Sequence, residues 1–226
     1  MTLSKTLSIA PLLLWTKAAS EGLNRLARRN ILADSVLFLK TWRQNPGKVG
    51  AILPSWPALS SAITREIGTE HAPILELGCG TGVFTRRIVK KGVATHDLVL
   101  VETDPRFASH LQAKFPSARI LCSDACQLYL QESSLESTIG AAVCGLPLLN
   151  MSTRQQWRIL HGVFCALRST GALYLFSYGM RCPIPGRLLD RLGLRAQKME
   201  TVLLNAPPAR VWKITRRHGK WLGNMK

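Results

Sequence analysis

Acidic side chains are scarce in this sequence: 13 Asp plus Glu stand against 30 Lys plus Arg in 226 residues, for a formal net charge of +17. Such an excess points toward an anionic partner, either nucleic acid or a membrane surface. Long apolar runs are also missing. The longest stretch near the start, Leu12 to Trp15 after Ile9, Ala10 and Pro11, falls far short of the ~20 residues that span a bilayer. Lys5 ahead of it and Ala18-Ala19-Ser20 behind it resemble a signal peptide, but a helical pattern fits the segment better. The six cysteines (Cys79, Cys122, Cys126, Cys144, Cys165, Cys182) include no C-x-x-C pair. Cys122 and Cys126 have no nearby histidine or second pair to complete a zinc set, so no metal site is expected. The thiols are expected to be small, reduced and buried. His71, His96, His110, His161 and His218 group with no nucleophile or acid. Internal repeats and low-complexity tracts are absent. With 46% hydrophobic and 19% charged residues, the composition excludes a disordered, collagen-like or coiled-coil chain, and the length suits one domain with an elaborated end.

The charge is unevenly spread. Residues 1–48 carry 8 basic and 2 acidic side chains, residues 49–179 carry 11 and 9, and residues 180–226 carry 11 and 2. The excess therefore sits at the two ends. From Leu12 the apolar positions Leu12, Trp15, Ala19, Leu23 and Leu26 recur at three- and four-residue steps. Lys17, Glu21, Asn24, Arg25 and Arg28 fall opposite, which predicts an amphipathic helix with a basic polar face. Such a helix either lies in a membrane interface or packs on the domain it precedes. Trp15, Lys17, Arg25, Arg28 and Arg29 are the candidate membrane contacts. A second apolar segment, Ile31 to Trp42, breaks at Asn45-Pro46-Gly47, so residues 1–48 are expected to form a helical extension to a domain at 49–226.

After an expected helix at Leu59–Ile67, with Ser55 and Pro57 marking its start, strands and helices alternate. Ile74–Leu77, Leu98–Val101, Arg119–Cys122, Ile139–Cys144 and Ala172–Tyr178 read as strands. Helices are expected at Val83–Lys91, Pro105–Phe115 and Ser152–Leu167. Near the end, Val202–Asn205 and Arg210–Thr215 flank Ala206-Pro207-Pro208-Ala209 and predict an antiparallel hairpin. The fold expected is α/β, a doubly wound, mostly parallel seven-stranded sheet closed by that hairpin.

The first strand runs into Glu76-Leu77-Gly78-Cys79-Gly80-Thr81-Gly82 and then a helix. Glycines there let the backbone approach a ligand, and the following helix start offers free amides. A dinucleotide fingerprint would place its third glycine three residues after the second; here the spacing is two. Glu76 stands where it can meet a positively charged amino group. Glu102, followed by Thr103 at the end of the second strand, is placed for the two hydroxyls of a ribose. Asp124, followed by Ala125 after the third, can accept from the exocyclic amine of adenine. These three acids share the carboxyl edge of one sheet.

The stretch ELGCGTGVFT with the VETDP and SDA steps resembles the class I S-adenosylmethionine-dependent methyltransferases over residues ~74 to 215. That resemblance implies S-adenosylmethionine as cofactor, S-adenosylhomocysteine as product, no metal, and a cofactor site of Glu76, Gly78, Cys79, Gly80, Thr81, Gly82, Glu102, Thr103, Asp124, Ala125, Cys144, Gly145 and Leu146. Two families that share the set are the rRNA adenine N6-dimethyltransferases and the bacterial phospholipid N-methyltransferases. Enzymes that methylate adenine carry Asn-x-Pro-Tyr at the end of the fourth strand, an amide for the base amine and a ring to stack on it. Here that place reads Cys144-Gly145-Leu146-Pro147-Leu148-Leu149-Asn150, with neither group at the motif's positions.

The segment VCGLPLLNM is similar to the corresponding loop of the phospholipid N-methyltransferases. So are FLKTWRQNPGKVGAILPSWPAL at 38–59, FSYG at 176–179 and NAPPARVWKITR at 205–216. Trp56 and Cys144 depart from that pattern, where a small residue and serine are usual. The resemblance implies a cytoplasmic enzyme held peripherally on the inner membrane surface through anionic lipids. It would transfer methyl groups to the amine of phosphatidylethanolamine, giving mono- and dimethyl forms and, when complete, phosphatidylcholine. Tyr178 is the candidate to orient the amine, and Pro147 and Leu148 the candidate wall for the headgroup. No nucleic-acid partner is expected. Three alternatives stand beside this reading: another amino lipid such as an ornithine lipid, an RNA acceptor, and a binding protein on a decayed methyltransferase fold.

Overall fold

The structure, a computed structural model, describes residues 55–128, 135–203 and 208–217. The expected amphipathic helix, the segment Ile31–Trp42, the boundary at 48/49 and the candidates Trp15, Lys17, Arg25, Arg28 and Arg29 lie outside them.

Helix α1 (Ser55–Ile63) comes first, followed by β1 (Ile74–Leu77), α2 (Val83–Lys90), β2 (Leu98–Glu102), α3 (Pro105–Lys114), β3 (Arg119–Cys122) and β4 (Ile139–Cys144). Then come α4 (Thr153–Ala166), β5 (Leu167–Ser177), α5 (Gly186–Arg191), β6 (Leu194–Val202) and β7 (Ala209–Arg216). The strands form one seven-stranded sheet in the order β3-β2-β1-β4-β5-β7-β6. Strands β1 to β5 pair in parallel, and β7 runs antiparallel to both β5 and β6. This is the Rossmann-like methyltransferase fold, with the expected mostly parallel sheet and terminal hairpin.

Apolar burial explains the order. Ile-Leu-Glu-Leu of β1 and Ile-Gly-Ala-Ala-Val-Cys of β4 are buried at every position, as central parallel strands covered on both faces must be. One face packs Ile159, Leu160 and Val163 of α4 and Leu188 and Leu189 of α5 against Leu75, Val99 and Leu173. The other packs Leu59 and Ile63 of α1, Ile88 of α2 and Leu111 of α3 against Ile74, Leu100 and Tyr174.

Boundaries differ from expectation at several places. Helix α1 starts at Ser55 rather than Leu59 and ends at Ile63, because Pro57 is tolerated in a first turn, where an amide has no helical partner. Strand β5 begins at Leu167, pairing there with Ile139 before a register shift. Strand β6 begins eight residues ahead of Val202. Its Arg195, Lys198 and Glu200 mask the strand pattern, and such charge is normal at a sheet edge. Helix α5 carried no helix signal strong enough to be anticipated.

Helix α4 is fixed at both ends. Ser152 Oγ accepts from the Gln155 amide (3.3 Å) while Gln155 Oε1 accepts from the Ser152 amide (3.0 Å), a reciprocal cap. At the other end Arg216 of β7 donates through Nη2 to the carbonyls of Phe164 and Leu167 and through Nη1 to that of Arg168.

Candidate active site

The strand order reverses between β1 and β4, which opens a crevice at the carboxyl edge of the sheet. Both sides of the crevice are built from the residues singled out in the sequence. After β1 the chain passes through Gly78, Gly80 and Gly82, all at positive φ (70°, 53° and 73°). Gly78 is also needed for space: a Cβ there would lie 2.6 Å from Leu146 Cδ2, and one on Gly145 would lie 2.7 Å from the Gly78 carbonyl oxygen. The loops after β1 and β4 thus touch backbone to backbone.

Glu76 is fully buried in β1. Thr85 of α2 donates its hydroxyl to Oε2 (2.7 Å), while Oε1 is buried without a hydrogen-bond partner among the described residues. Burial pushes the carboxyl up to about 8, against the opposing pull of the Thr85 hydroxyl and the Arg86 charge. A buried acceptor with nothing to accept from is costly, and a cationic ammonium from a ligand would both satisfy it and ionise the group.

Glu102 ends β2, also buried. Its Oε2 accepts from the Gly80 amide (2.8 Å) and its Oε1 from the Asp104 amide (3.0 Å), so it ties the glycine turn to the second strand end. Thr103 is exposed beside it, and Thr81 is half-buried. Asp124 follows β3, exposed, with Oδ1 accepting from the Cys126 amide (2.9 Å); Ala125 next to it is buried. The three acids predicted for the edge therefore stand on three successive strand ends.

The cysteines of the site have their thiols engaged or buried. Cys79 Sγ donates to the Glu76 carbonyl (3.3 Å), and burial holds its thiol well above the usual range. Cys144 is buried, its thiol pushed up to about 12 by desolvation. What these residues can offer a ligand is backbone. Cys122, expected to be buried, is exposed because it ends the edge strand β3, and Cys165 and Cys182 are half-buried. Among the described residues no three His, Cys, Asp or Glu side chains come close enough together to hold a metal ion.

On the acceptor side, Leu148 is 2% exposed and packs in the core, Pro147 is half-buried, and Leu149 and Asn150 are exposed. Tyr178, half-buried, meets Phe176 edge to face (centroids 5.6 Å), and Phe176 meets Phe84 in the same way (6.0 Å). A ring chain thus runs from the β5 end to the first turn of α2. Gln156 was not anticipated. Buried in α4, it donates Nε2 to the carbonyls of Leu148 (2.6 Å) and Pro183 (3.2 Å), binding the loop after β4 to the loop after β5. Its only signal in the sequence is a polar residue on the apolar face of α4, in step with Ile159, Leu160 and Val163.

Glycine turn, orphaned buried acid and strand-end carboxylates stand together at the carboxyl edge of this sheet, which has the Rossmann-like methyltransferase fold. Residues 74–171 match the family model described as a methyltransferase domain. Over 85 residues the chain is 33% identical to an ornithine lipid N-methyltransferase of Singulisphaera acidiphila, covering 37% of this chain and 44% of that one. Over 91 residues it is 32% identical to ribosomal RNA small subunit methyltransferase A of Maridesulfovibrio salexigens, covering 40% and 33%. The chain thus spans less than half the length of these curated relatives. A TehB-like methyltransferase from Corynebacterium glutamicum superposes with a TM-score of 0.57 at 21% identity, over 82% of this chain and 99% of that one. That likeness bears on the fold.

Proposed function

We propose that the protein is a peripheral membrane methyltransferase that transfers methyl groups from S-adenosylmethionine to the primary amine of phosphatidylethanolamine. The observation that carries this reading is the end of β4. Gly145-Leu146-Pro147-Leu148 occupies the Asn-x-Pro-Tyr positions there, with neither the amide nor the stacking ring in the places where extraction of a base requires them. The partial identity with an ornithine lipid N-methyltransferase supports an amino-lipid acceptor and makes ornithine lipid the nearest alternative headgroup. The identity with a ribosomal RNA methyltransferase supports the rival reading, an adenine acceptor.

The residues present fit the cofactor. Glu76 would receive its ammonium, Glu102 its ribose hydroxyls and Asp124 its adenine amine, with the Gly78 to Gly82 turn and Gly145 giving the backbone room for close approach. S-adenosylmethionine supplies an electrophilic methyl group on a sulfonium. This chain's own contribution is to orient and to exclude water. Tyr178 would accept a hydrogen bond from an N–H of the lipid amine and hold the nitrogen lone pair in line. Leu146 and Pro147 would shield the reacting centre. The primary ammonium must first lose a proton, which leaves through solvent or the Tyr178 hydroxyl.

Incubation with methyl-labelled S-adenosylmethionine and vesicles of phosphatidylethanolamine is expected to yield mono- and dimethyl lipids, and trimethyl lipid if the series runs to completion. Label in ornithine lipid vesicles alone would move the reading to that headgroup. Label in ribosomal RNA with none in lipid would overturn it.

A further inference from the structure

Large apolar side chains left exposed on a folded domain are ordinarily scattered. Among the described residues they are Leu149, Trp157, Met180 and Leu203. All but Trp157 lie at one edge. Leu149 follows β4, Met180 follows β5 and Leu203 follows β6, and because these three strands run in the same direction their ends share the carboxyl edge of the sheet.

Leu149 and Met180 are joined by contacts, and strand register brings Leu203 to the same edge. A Cβ on Gly179 would lie 3.3 Å from Leu149 Cδ2, so the β4 and β5 loops adjoin beside Met180. Arg210 at the start of β7 donates Nη1 to the Gly179 carbonyl (3.3 Å) and lies with Nη2 against Met180 Sδ. Arg210 also pairs across the sheet with Ser177 on β5 and with Thr201, two residues before Leu203. Met180 and Leu203 are 71% and 76% exposed, too open to be edges of the core.

Charge is polarised along the same edge. Residues 176–184 and 203–210 contain Arg181 and Arg210 and no acid. Glu102 and Asp124 stand at the ends of β2 and β3 instead, on the cofactor side, where Asp104 is paired with Arg106. An anionic surface would attract the β4, β5 and β6 ends and repel the β2 and β3 ends. Apolar side chains flanked by arginines match the acyl boundary and headgroups of such a surface; phosphate-lined RNA would leave Leu149, Met180 and Leu203 without a partner.

We propose that the rim formed by Leu149, Met180 and Leu203, with Arg181 and Arg210, docks on an anionic bilayer and turns the acceptor side of the crevice toward it. Resting on the lipid-amine reading above, this rim lets a headgroup enter while its acyl chains stay in the membrane. It is a contact separate from the basic amphipathic segment at residues 12–29.

The test uses the full chain and vesicles of phosphatidylglycerol and phosphatidylethanolamine. The double variant M180D/L203D is expected to partition onto vesicles about tenfold more weakly, with S-adenosylhomocysteine affinity and melting temperature unchanged; M180L/L203I should recover binding. Undiminished vesicle binding by M180D/L203D would overturn the proposal, as would loss of binding to a structured RNA with vesicle binding intact. In the wild-type protein, vesicles should slow oxidation of Met180 to its sulfoxide by hydrogen peroxide, followed by mass spectrometry, and equal oxidation with and without vesicles would also overturn it. Rim-dependent vesicle binding without any methylated lipid would retain the docking surface and reject the lipid acceptor.

Discussion

Glu76 is the residue on which cofactor recognition and pH meet. The carboxyl of an unfolded glutamate titrates near 4.5 and that of folded Glu76 near 8, so the unfolded chain loses its proton first as pH rises. Glu76 therefore favours the folded, ligand-free protein fully below 4.5, and this contribution fades as pH climbs through about 8. An arriving ammonium reverses the preference. Binding of S-adenosylhomocysteine at pH 7 is expected to release a proton, seen as a dependence of the calorimetric enthalpy on buffer ionisation. E76Q should abolish the release and weaken binding by about ten- to a hundredfold, the scale of a lost charge-assisted hydrogen bond. Gly145→Ala would drive a Cβ toward the Gly78 carbonyl oxygen, 2.7 Å away. It should destabilise the protein by about 1–3 kcal/mol and lower cofactor affinity with it. The acids and glycines were legible in the sequence because strand-end acids after a glycine turn have few other uses. The Gly78–Gly145 contact was not, since it joins residues from two strands adjacent only in the folded sheet.

Among the elements, α4 and its attachments govern the acceptor side. Gln156 holds the loops after β4 and β5 through the carbonyls of Leu148 and Pro183. Q156L should therefore raise the KM for the methyl acceptor severalfold while leaving S-adenosylhomocysteine affinity unchanged; equal changes in both would make Gln156 merely a packing residue. Arg216 does comparable work at the far end, where it caps the last carbonyls of α4 and the start of β5. Removing a buried charged donor from several carbonyls is expected to lower stability by about 2–4 kcal/mol in R216M, read by urea unfolding. The central strands β1 and β4 and the short edge strand β3 were legible to the residue, as each is a short, mainly apolar run bounded by turns. Strand β6 was not, because an edge strand carries charge and a register shift between Lys198 and Glu200 breaks its alternation.

At the scale of the molecule, the charge of +17 divides into a nearly balanced centre and two basic ends. Raising salt from about 0.1 M to about 1 M shortens the screening length from ~10 Å to ~3 Å, so partition onto anionic vesicles should fall steeply while cofactor affinity changes little. Deleting residues 1–30, or changing Arg25, Arg28 and Arg29 to Glu, should likewise weaken vesicle binding and spare the cofactor; loss of both would make the segment part of the fold. Among the described residues no helix is long and apolar enough to cross a membrane, and a surface contact made of charge and a few apolar side chains needs none.

Period and spacing along the chain were enough for the parallel sheet, the glycine turn and the strand-end acids, because each depends on neighbours within about ten residues. Tertiary structure alone decided which of those groups is left wanting. The orphaned Glu76 oxygen, the bond from Gln156 to two loops and the rim of Leu149, Met180 and Leu203 depend on residues that are distant in the chain. Folding brings them to one edge because β1 to β6 run in the same direction and so carry their carboxyl ends to the same side of the sheet.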